Sequence, residues 1–259
     1  MLYVYAISRE PVLPEGEAID SSDRFGATGH DGVCAIFTPV SADEFSQDVI
    51  DRRAGDLEWL GAIGYRHQAV MSQLMKRTTI IPLRAFTLFS GEGAVRTYLD
   101  ENRELLDKTL ARLAGRQEWT LRVELDPPKW ADSLEKRVES LRALQDEIAN
   151  AAPGKAFLLR KKMDEAKKKA SHTAEDSLVG EIESAVLEKL RCETVAESRQ
   201  RREGAFPQIN VLVNRDEESV LHELHAELSA RYEPEGVTIA LLGPWPPYTF
   251  AGPGGRAQG

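Results

Sequence analysis

A segment in the middle of the chain alternates without a break between apolar and polar residues. From Trp119 to Asp126 the sequence reads WTLRVELD, so every second side chain is apolar. Because successive side chains of a β-strand point to opposite faces of its sheet, this period predicts a strand with one face buried and the other in water. Pro127 and Pro128 follow directly and end the strand. The fold therefore contains a sheet with one covered face.

Further strand and helix patterns alternate along the rest of the chain. Apolar or alternating runs predict strands at 2–7, 33–40, 79–89, 209–213 and 237–242. Amphipathic stripes predict helices at about 56–76, between 90 and 115, and from about 217 to 232. This order predicts an α+β fold with two domains. Residues 1–115 form a modified ferredoxin-like domain, and residues 116–250 form a ferredoxin-like domain with an inserted helical hairpin.

The segment after the alternating strand is strongly helical. Two amphipathic stretches separated by a break at 150–154 predict the helical hairpin at about 130–203. The small, polar residues 251–259 predict a disordered tail. Residues 8–32 are rich in glycine and proline, which predicts a long loop that is either functional or partly mobile.

The balance of charges narrows the classes of partner. The chain has 33 basic and 42 acidic residues and a formal net charge of −9, which argues against a general nucleic-acid binder. No apolar run reaches the roughly 20 residues that a membrane-spanning helix needs, and the first residues lack the basic segment of a signal peptide. Cys34 and Cys192 lack a second cysteine at metal-site or redox spacing. We therefore expect a cytoplasmic protein with neither nucleic acid nor membrane as a partner.

Few residues favour catalysis. His67 lies on the apolar stripe of the first long helix, between Ile63 and Met71. It is either a core histidine with hydrogen-bonded ring nitrogens or a catalytic or switching group. His222 and His225 are three residues apart on a helix but lack a further ligand at matching spacing. The sequence therefore predicts no catalytic, cofactor-binding or metal-binding residues.

Residues 155–169 are basic in an otherwise acidic chain. Seven lysines and arginines stand against two acidic residues, and Phe157, Leu158 and Met163 lie among them. The pattern is either a solvated helix face with ion pairs along the helix or a contact for an acidic partner surface. Elsewhere, Gly61 and Gly64 are costly inside a helix. We expect them to allow close packing of the helix on its sheet, and a break of the helix at this point is the alternative.

The chain ends in a segment that is rich in proline and aromatic residues. Residues 243–250 read GPWPPYTF, and each proline fixes φ and lacks a backbone donor. We name as the C-terminal clasp the residues Pro244, Trp245, Pro246, Pro247, Tyr248 and Phe250. We expect a stiff, extended segment whose three rings pack on the C-terminal sheet or across the domain boundary. Direct contact with a partner is the alternative.

This ending resembles that of the gas vesicle proteins GvpF and GvpL, whose usual form is GPWPPYSF. Only Thr249 departs, and it keeps the hydroxyl group. Further similar motifs follow in the family's order: Tyr65-Arg66-His67, Pro82-Leu83-Arg84, Glu118-Trp119 and 154–162. After Pro82-Leu83-Arg84 the family usually has Phe-Gly-Thr, whereas this chain has Ala85-Phe86-Thr87 and lacks the glycine. The resemblance spans residues 1–250.

The resemblance implies a role in building gas vesicles, the hollow protein shells that make cells buoyant. Their main shell subunit is small and strongly apolar on one face, and it would aggregate unless that face were covered before assembly. The expected partners are this subunit and other gas vesicle accessory proteins, and the expected location is the cytoplasm and the gas vesicle. The candidate contact residues are Arg66, His67, Arg84, Phe157, Arg160, Lys161 and Lys162.

Two alternatives remain open at this point. The protein is either a scaffold that bridges accessory proteins through its helical hairpin, or an enzyme of ferredoxin-like fold that uses His67 or Arg84. No cofactor is expected under any of these hypotheses.

Overall fold

The computed structural model describes residues 1–197 and 207–252. Within it the chain forms two compact units. Unit 1 comprises Met1–Glu118 together with the chain from Pro244 onward, and unit 2 comprises Trp119–Gly243. The sequence grouped the C-terminal clasp with the second domain, whereas its contacts group it with unit 1, because Tyr248 and Phe250 have buried partners there.

The sheet of unit 1 is antiparallel and has the strand order β2-β3-β1-β4, with β5 also paired to β1. Its strands are β1 (Leu2–Ser8), β2 (Gly26–His30), β3 (Val33–Pro39), β4 (Ile80–Pro82) and β5 (Leu88–Phe89). Strand β1 is buried along its whole length, which matches its nearly continuous apolar sequence and its central place. Pro82 lies on the edge strand β4, where its missing N–H costs no ladder bond.

Five helices complete unit 1 within the described residues: α1 (Ala42–Phe45), α2 (Gln47–Arg53), α3 (Leu57–Arg77), α4 (Glu92–Glu101) and α5 (Arg103–Leu113). Helix α3 begins after Asp56, whose side chain accepts a hydrogen bond from the backbone of Trp59. It buries Ile63, His67, Val70, Met71 and Leu74, the stripe that the sequence predicts.

The expected role of Gly61 and Gly64 in packing α3 against the sheet is wrong. Both glycines are exposed, and a Cβ atom added to either would meet nothing within 4 Å. Because no atom comes near either position, neither glycine is needed for a close approach to the sheet.

Unit 2 contains a second antiparallel sheet, with strand order β7-β8-β6-β9. Its strands are β6 (Arg116–Leu125), β7 (Glu193–Glu197), β8 (Gln208–Asn214) and β9 (Val237–Trp245). Its helices are α6 (Pro127–Arg137), α7 (Glu139–Ala149), α8 (Pro153–Lys189) and α9 (Glu218–Tyr232). One apolar core joins the sheet to these helices. The predicted α+β class is confirmed, and the finer ferredoxin-like layout stays a prediction.

The helical hairpin differs from its predicted form. The first arm is interrupted at Val138, which has an extended backbone (φ −91°, ψ 106°) between α6 and α7. The second arm ends at Lys189, and residues 193–197 form a strand that pairs with β8, because Thr194 and Val195 favour a strand where a neighbour is available. Residues 198–203 of the predicted hairpin and 253–259 of the predicted tail lie outside the described residues.

Candidate functional site: the C-terminal clasp and the basic half of a long helix

The C-terminal clasp turns instead of continuing straight. Strand β9 ends at Trp245, and the backbone N–H of Tyr248 then donates to the carbonyl of Pro246 at 2.7 Å. The N–H of Phe250 donates to the carbonyl of Pro247 at 3.2 Å. The predicted extended form therefore holds only as far as Trp245, because the prolines that follow have the fixed φ that tight turns use.

The clasp brings Tyr248 to His67. The Tyr248 hydroxyl lies 2.8 Å from Nε2 of His67, and the hydroxyl of Tyr3 on β1 lies 2.8 Å from Nδ1. Burial lowers the pKa of His67 to about 4 and raises that of Tyr248 to about 12, so both are neutral at pH 7. One ring nitrogen must therefore donate and the other accept. His67 is 5% exposed and both its nitrogens are bonded, so it acts as a core histidine that positions Tyr248 and has no surface for a partner.

A second anchor of the clasp is Glu118. One of its carboxylate oxygens accepts a hydrogen bond from the Thr249 hydroxyl at 2.7 Å, and the other accepts from the Thr249 backbone N–H at 3.0 Å. Burial raises the pKa of Glu118 to about 7 against these bonds, which lower it. The hydroxyl that threonine shares with serine thus has a specific acceptor. This bond explains why the exchange of serine for threonine at this position keeps the interaction.

The three rings of the clasp differ in their surroundings. Phe250 is 1% exposed, and its carbonyl accepts from Arg112, whose guanidinium lies 5.8 Å from the ring centre. Trp245 is 40% exposed. Trp245 is thus less covered than Phe250, and its packing on the sheet or across the domain boundary stays a prediction.

The other two candidates in unit 1 lie at its surface. Arg66 donates from Nε to Glu17 at 3.0 Å. Arg84 is exposed, and its carbonyl accepts from the Thr87 hydroxyl at 2.7 Å in the turn between β4 and β5.

In that turn Phe86 has φ +66°, in the left-handed region that favours glycine. Phe86 stands where the family usually has glycine, the residue that adopts this conformation at least cost. Contacts of its ring offset the strain: it packs 5.4 Å from Trp59 and 6.4 Å from Tyr3, measured between ring centres.

The candidates in unit 2 lie on the first half of α8. Phe157 and Leu158 are 69% and 66% exposed, and Arg160, Lys161 and Lys162 follow them in exposed positions. Two other lysines in this stretch have ion-pair partners on neighbouring helices, Lys155 with Glu147 and Lys167 with Glu135. Some of the basic side chains on this part of α8 are thus in ion pairs, and two large apolar side chains beside them are exposed to water.

The sequence and the fold can now be set beside known proteins. Residues 1–252 match the family described as gas vesicle synthesis protein GvpL/GvpF. The chain belongs to this family.

Individual relatives of the GvpL/GvpF family match over nearly the whole chain. It is 29% identical over 257 residues to gas vesicle protein L of Streptomyces sp., a match that covers 96% of this chain and 92% of the relative. It is 30% identical to gas vesicle protein L2 of Halobacterium salinarum, with 96% and 90% covered. The fold resembles the crystal structure of GvpF from Anabaena sp. with a TM-score of 0.74 at 17% identity, covering 97% and 98%.

Two of the motifs that mark the GvpL/GvpF resemblance contact the C-terminal ending in unit 1. His67 of Tyr65-Arg66-His67 bonds Tyr248, and Glu118 of Glu118-Trp119 bonds Thr249, although 181 and 131 residues separate the partners. Sequence reasoning missed Glu118 as the partner of Thr249 and Tyr3 as the partner of His67. The only signal for Glu118 was its place in a family motif, and Tyr3 gave none because it lies in an apolar strand.

The described residues also bear on two other classes of site. Neither 1–197 nor 207–252 holds a cluster of three or more histidine, cysteine or acidic side chains that suits a metal ion. Within the same ranges no helix is long and apolar enough to cross a membrane.

Proposed function

We propose that this protein binds the small, apolar shell subunit of gas vesicles and keeps it competent for assembly, either as an assembly factor alone or also as a minor component of the shell. Membership of a gas vesicle synthesis family and similarity to proteins named gas vesicle protein L support the proposal. A subunit with an apolar face needs a soluble partner that covers this face until the subunit joins the shell.

The exposed pair Phe157 and Leu158 is the observation that carries the proposal. Both side chains stand in water on a 37-residue helix whose buried residues face the core of unit 2. Large apolar side chains at adjacent exposed positions are typical of an interaction surface. Arg160, Lys161 and Lys162 directly after them provide charged hydrogen-bond donors for the polar rim of such an interface. In unit 1, Arg66 and Arg84 are proposed as further contacts.

A pull-down of the purified shell subunit with the full chain tests the proposal. Replacing both apolar side chains, Phe157→Ala with Leu158→Ala, should weaken binding by roughly tenfold or more, because two anchors are lost. Leu187→Ala is the matched control: Leu187 is a 48% exposed leucine near the other end of the same helix, and its loss should leave binding unchanged. Failure of the wild-type chain to retain the shell subunit would remove the proposal. Equal binding by the double variant would remove the assigned surface.

The alternative that the protein bridges accessory proteins is favoured by the length of α8. Its 37 residues extend about 55 Å at 1.5 Å per residue, which is long enough to contact two partners. Under this alternative the full chain would retain accessory proteins in the pull-down but not the shell subunit alone.

A further inference from the structure

Unit 2 contains an apolar pocket between β6, α6 and α8. Its volume is about 270 Å³, and the side chains of Val123, Leu125, Trp130, Ala131 and Leu134 line it. Small-molecule sites usually begin at roughly 300 Å³. The pocket therefore suits one large side chain of a protein partner better than a cofactor.

The polar wall of the pocket is satisfied from within. The indole N–H of Trp130 donates to the Ser171 hydroxyl at 3.0 Å, and that hydroxyl donates to Glu175 at 2.8 Å. Because these groups already bond to one another, they do not require a polar group of a ligand. The surface offered to an occupant is therefore apolar.

The outer wall of the pocket carries two lysines of α8. Lys167 forms an ion pair with Glu135, and Lys168 is exposed. Arg160 and Lys161 lie seven residues earlier, which is about two helical turns, so they fall on the same side of α8. An occupant that enters the pocket therefore passes a row of cations.

This local charge is opposite to that of the whole chain. Residues 155–169 carry seven basic and two acidic side chains, whereas the full chain has a net charge of −9. At physiological ionic strength, exposed charges interact over only about 8 Å. An acidic segment beside α8 therefore interacts with the cations of this helix, and the acidic remainder of the surface is screened.

We propose that this pocket binds an acidic segment of a partner protein, with one large apolar side chain in the pocket and carboxylates on Lys168 and the cations before it. The inference goes beyond the proposed function, since it holds whichever protein supplies the segment. A protein segment fits better than a nucleic acid or a lipid surface. Asp164 and Glu165 interrupt the row of cations, and a long polyanion would meet the acidic remainder of the protein.

Fluorescence anisotropy with a labelled synthetic peptide tests the inference on the full chain. The peptide is a helical sequence of glutamate and alanine with a single central leucine. We expect saturable binding that weakens by about tenfold or more when the leucine becomes alanine, since most of the apolar surface that enters the pocket is lost. A peptide with glutamine in place of glutamate should also bind more weakly. Equal binding of all three peptides would overturn the inference, as would the absence of binding.

Two variants locate the site. Lys168→Glu should weaken binding by about fivefold to thirtyfold, because an attraction becomes a repulsion. Lys169→Glu makes the same change of charge at an exposed position about 100° further round the helix and outside the pocket, and should have little effect. Equal losses in both variants would show a diffuse charge effect and contradict a defined site.

Ala131→Phe fills the pocket and should abolish the preference for the leucine peptide, with the melting temperature and circular dichroism confirming that the variant is folded. If it fails to fold, the comparison of Lys168→Glu with Lys169→Glu still decides the question. Binding of phosphatidylserine vesicles or single-stranded DNA that exceeds peptide binding and requires Lys168 would replace the acidic segment with that ligand and overturn the inference.

Discussion

The substitution Glu118→Gln tests how the C-terminal clasp is held. Glu118 is 5% exposed, and burial raises its pKa from 4.5 to about 7. The folded chain therefore holds this proton more tightly than the unfolded chain does. The resulting stabilisation is complete below pH 4.5 and is lost as the pH rises to about 7. Glutamine has nearly the same shape and does not titrate, so the variant lacks this dependence on pH.

The size of the effect follows from the two pKa values. The interval from 4.5 to about 7 corresponds to about 3 kcal/mol, at about 1.4 kcal/mol for each pH unit. We expect the unfolding free energy of the wild type minus that of Glu118→Gln to fall by about this amount between pH 4.5 and pH values above 7. The variant should therefore be most disadvantaged in acid and least so at neutral pH.

The stability linked to His67 has the opposite dependence on pH. The effect of Glu118 is therefore measured as a difference between the wild type and Glu118→Gln. Burial lowers the pKa of His67 from 6.5 to about 4, so the stability linked to neutral His67 is present above pH 6.5 and is lost as the pH falls towards 4. Both effects occur in the same pH range and partly cancel in the wild type. Subtracting the unfolding free energy of the variant from that of the wild type at each pH removes the contribution of His67 and leaves that of Glu118.

Urea unfolding of both full chains across this pH range measures the difference, with the transition of unit 1 fitted separately if the two units unfold independently. Glu104→Gln is the control. Glu104 is exposed and its Lys108 partner lowers its pKa, so the difference for this variant should not fall with rising pH. A wild-type minus Glu118→Gln difference that stays constant, or that rises with pH, would refute a buried carboxyl group with a raised pKa.

Four further substitutions test other features of the described residues. Tyr248→Phe should reduce the unfolding free energy by about 1–3 kcal/mol in urea unfolding, since it leaves a buried ring nitrogen unpaired; an unchanged value would contradict the bond. Gly64→Ala should raise stability by about 1 kcal/mol, because the site is helical and open. Gly236→Ala should lower stability, because its φ is +81° and the new Cβ would lie 2.5 Å from Cβ of Lys129. Equal changes in unfolding free energy for Gly64→Ala and Gly236→Ala would contradict both expectations. Trp245→Ala should change the melting temperature little, since its ring is 40% exposed, and a marked loss would place that ring in the core.

The fold class was predictable because the signals for it are local. Alternation from Trp119 to Asp126 predicts β6, and the stripe from Ile63 to Leu74 predicts the buried side of α3. The end of α8 was not predictable in the same way. Residues 193–197 form a strand because β8 lies beside them. The sequence of the segment does not indicate that a pairing strand is available.

The partners of the clasp were harder to predict because they are distant in sequence. His67 and Tyr248 are 181 residues apart, and Glu118 and Thr249 are 131 apart. Neither the periodicity nor the residue spacing of the sequence indicates such a contact. The resemblance to the family named both ends of these pairs as motifs, but it did not reveal that they touch. The structure shows that two of these motifs, through His67 and Glu118, hold the chain end on unit 1.

Light scattering by the shell subunit as it refolds from denaturant tests directly whether this protein keeps the subunit in solution. With an equimolar amount of the full chain present, we predict that aggregation is suppressed and that the subunit stays in solution as a complex. The variant with Phe157→Ala and Leu158→Ala should suppress it much less, whereas Leu187→Ala should act like the wild type. Aggregation of the shell subunit at the same rate with and without the wild-type chain would contradict the account.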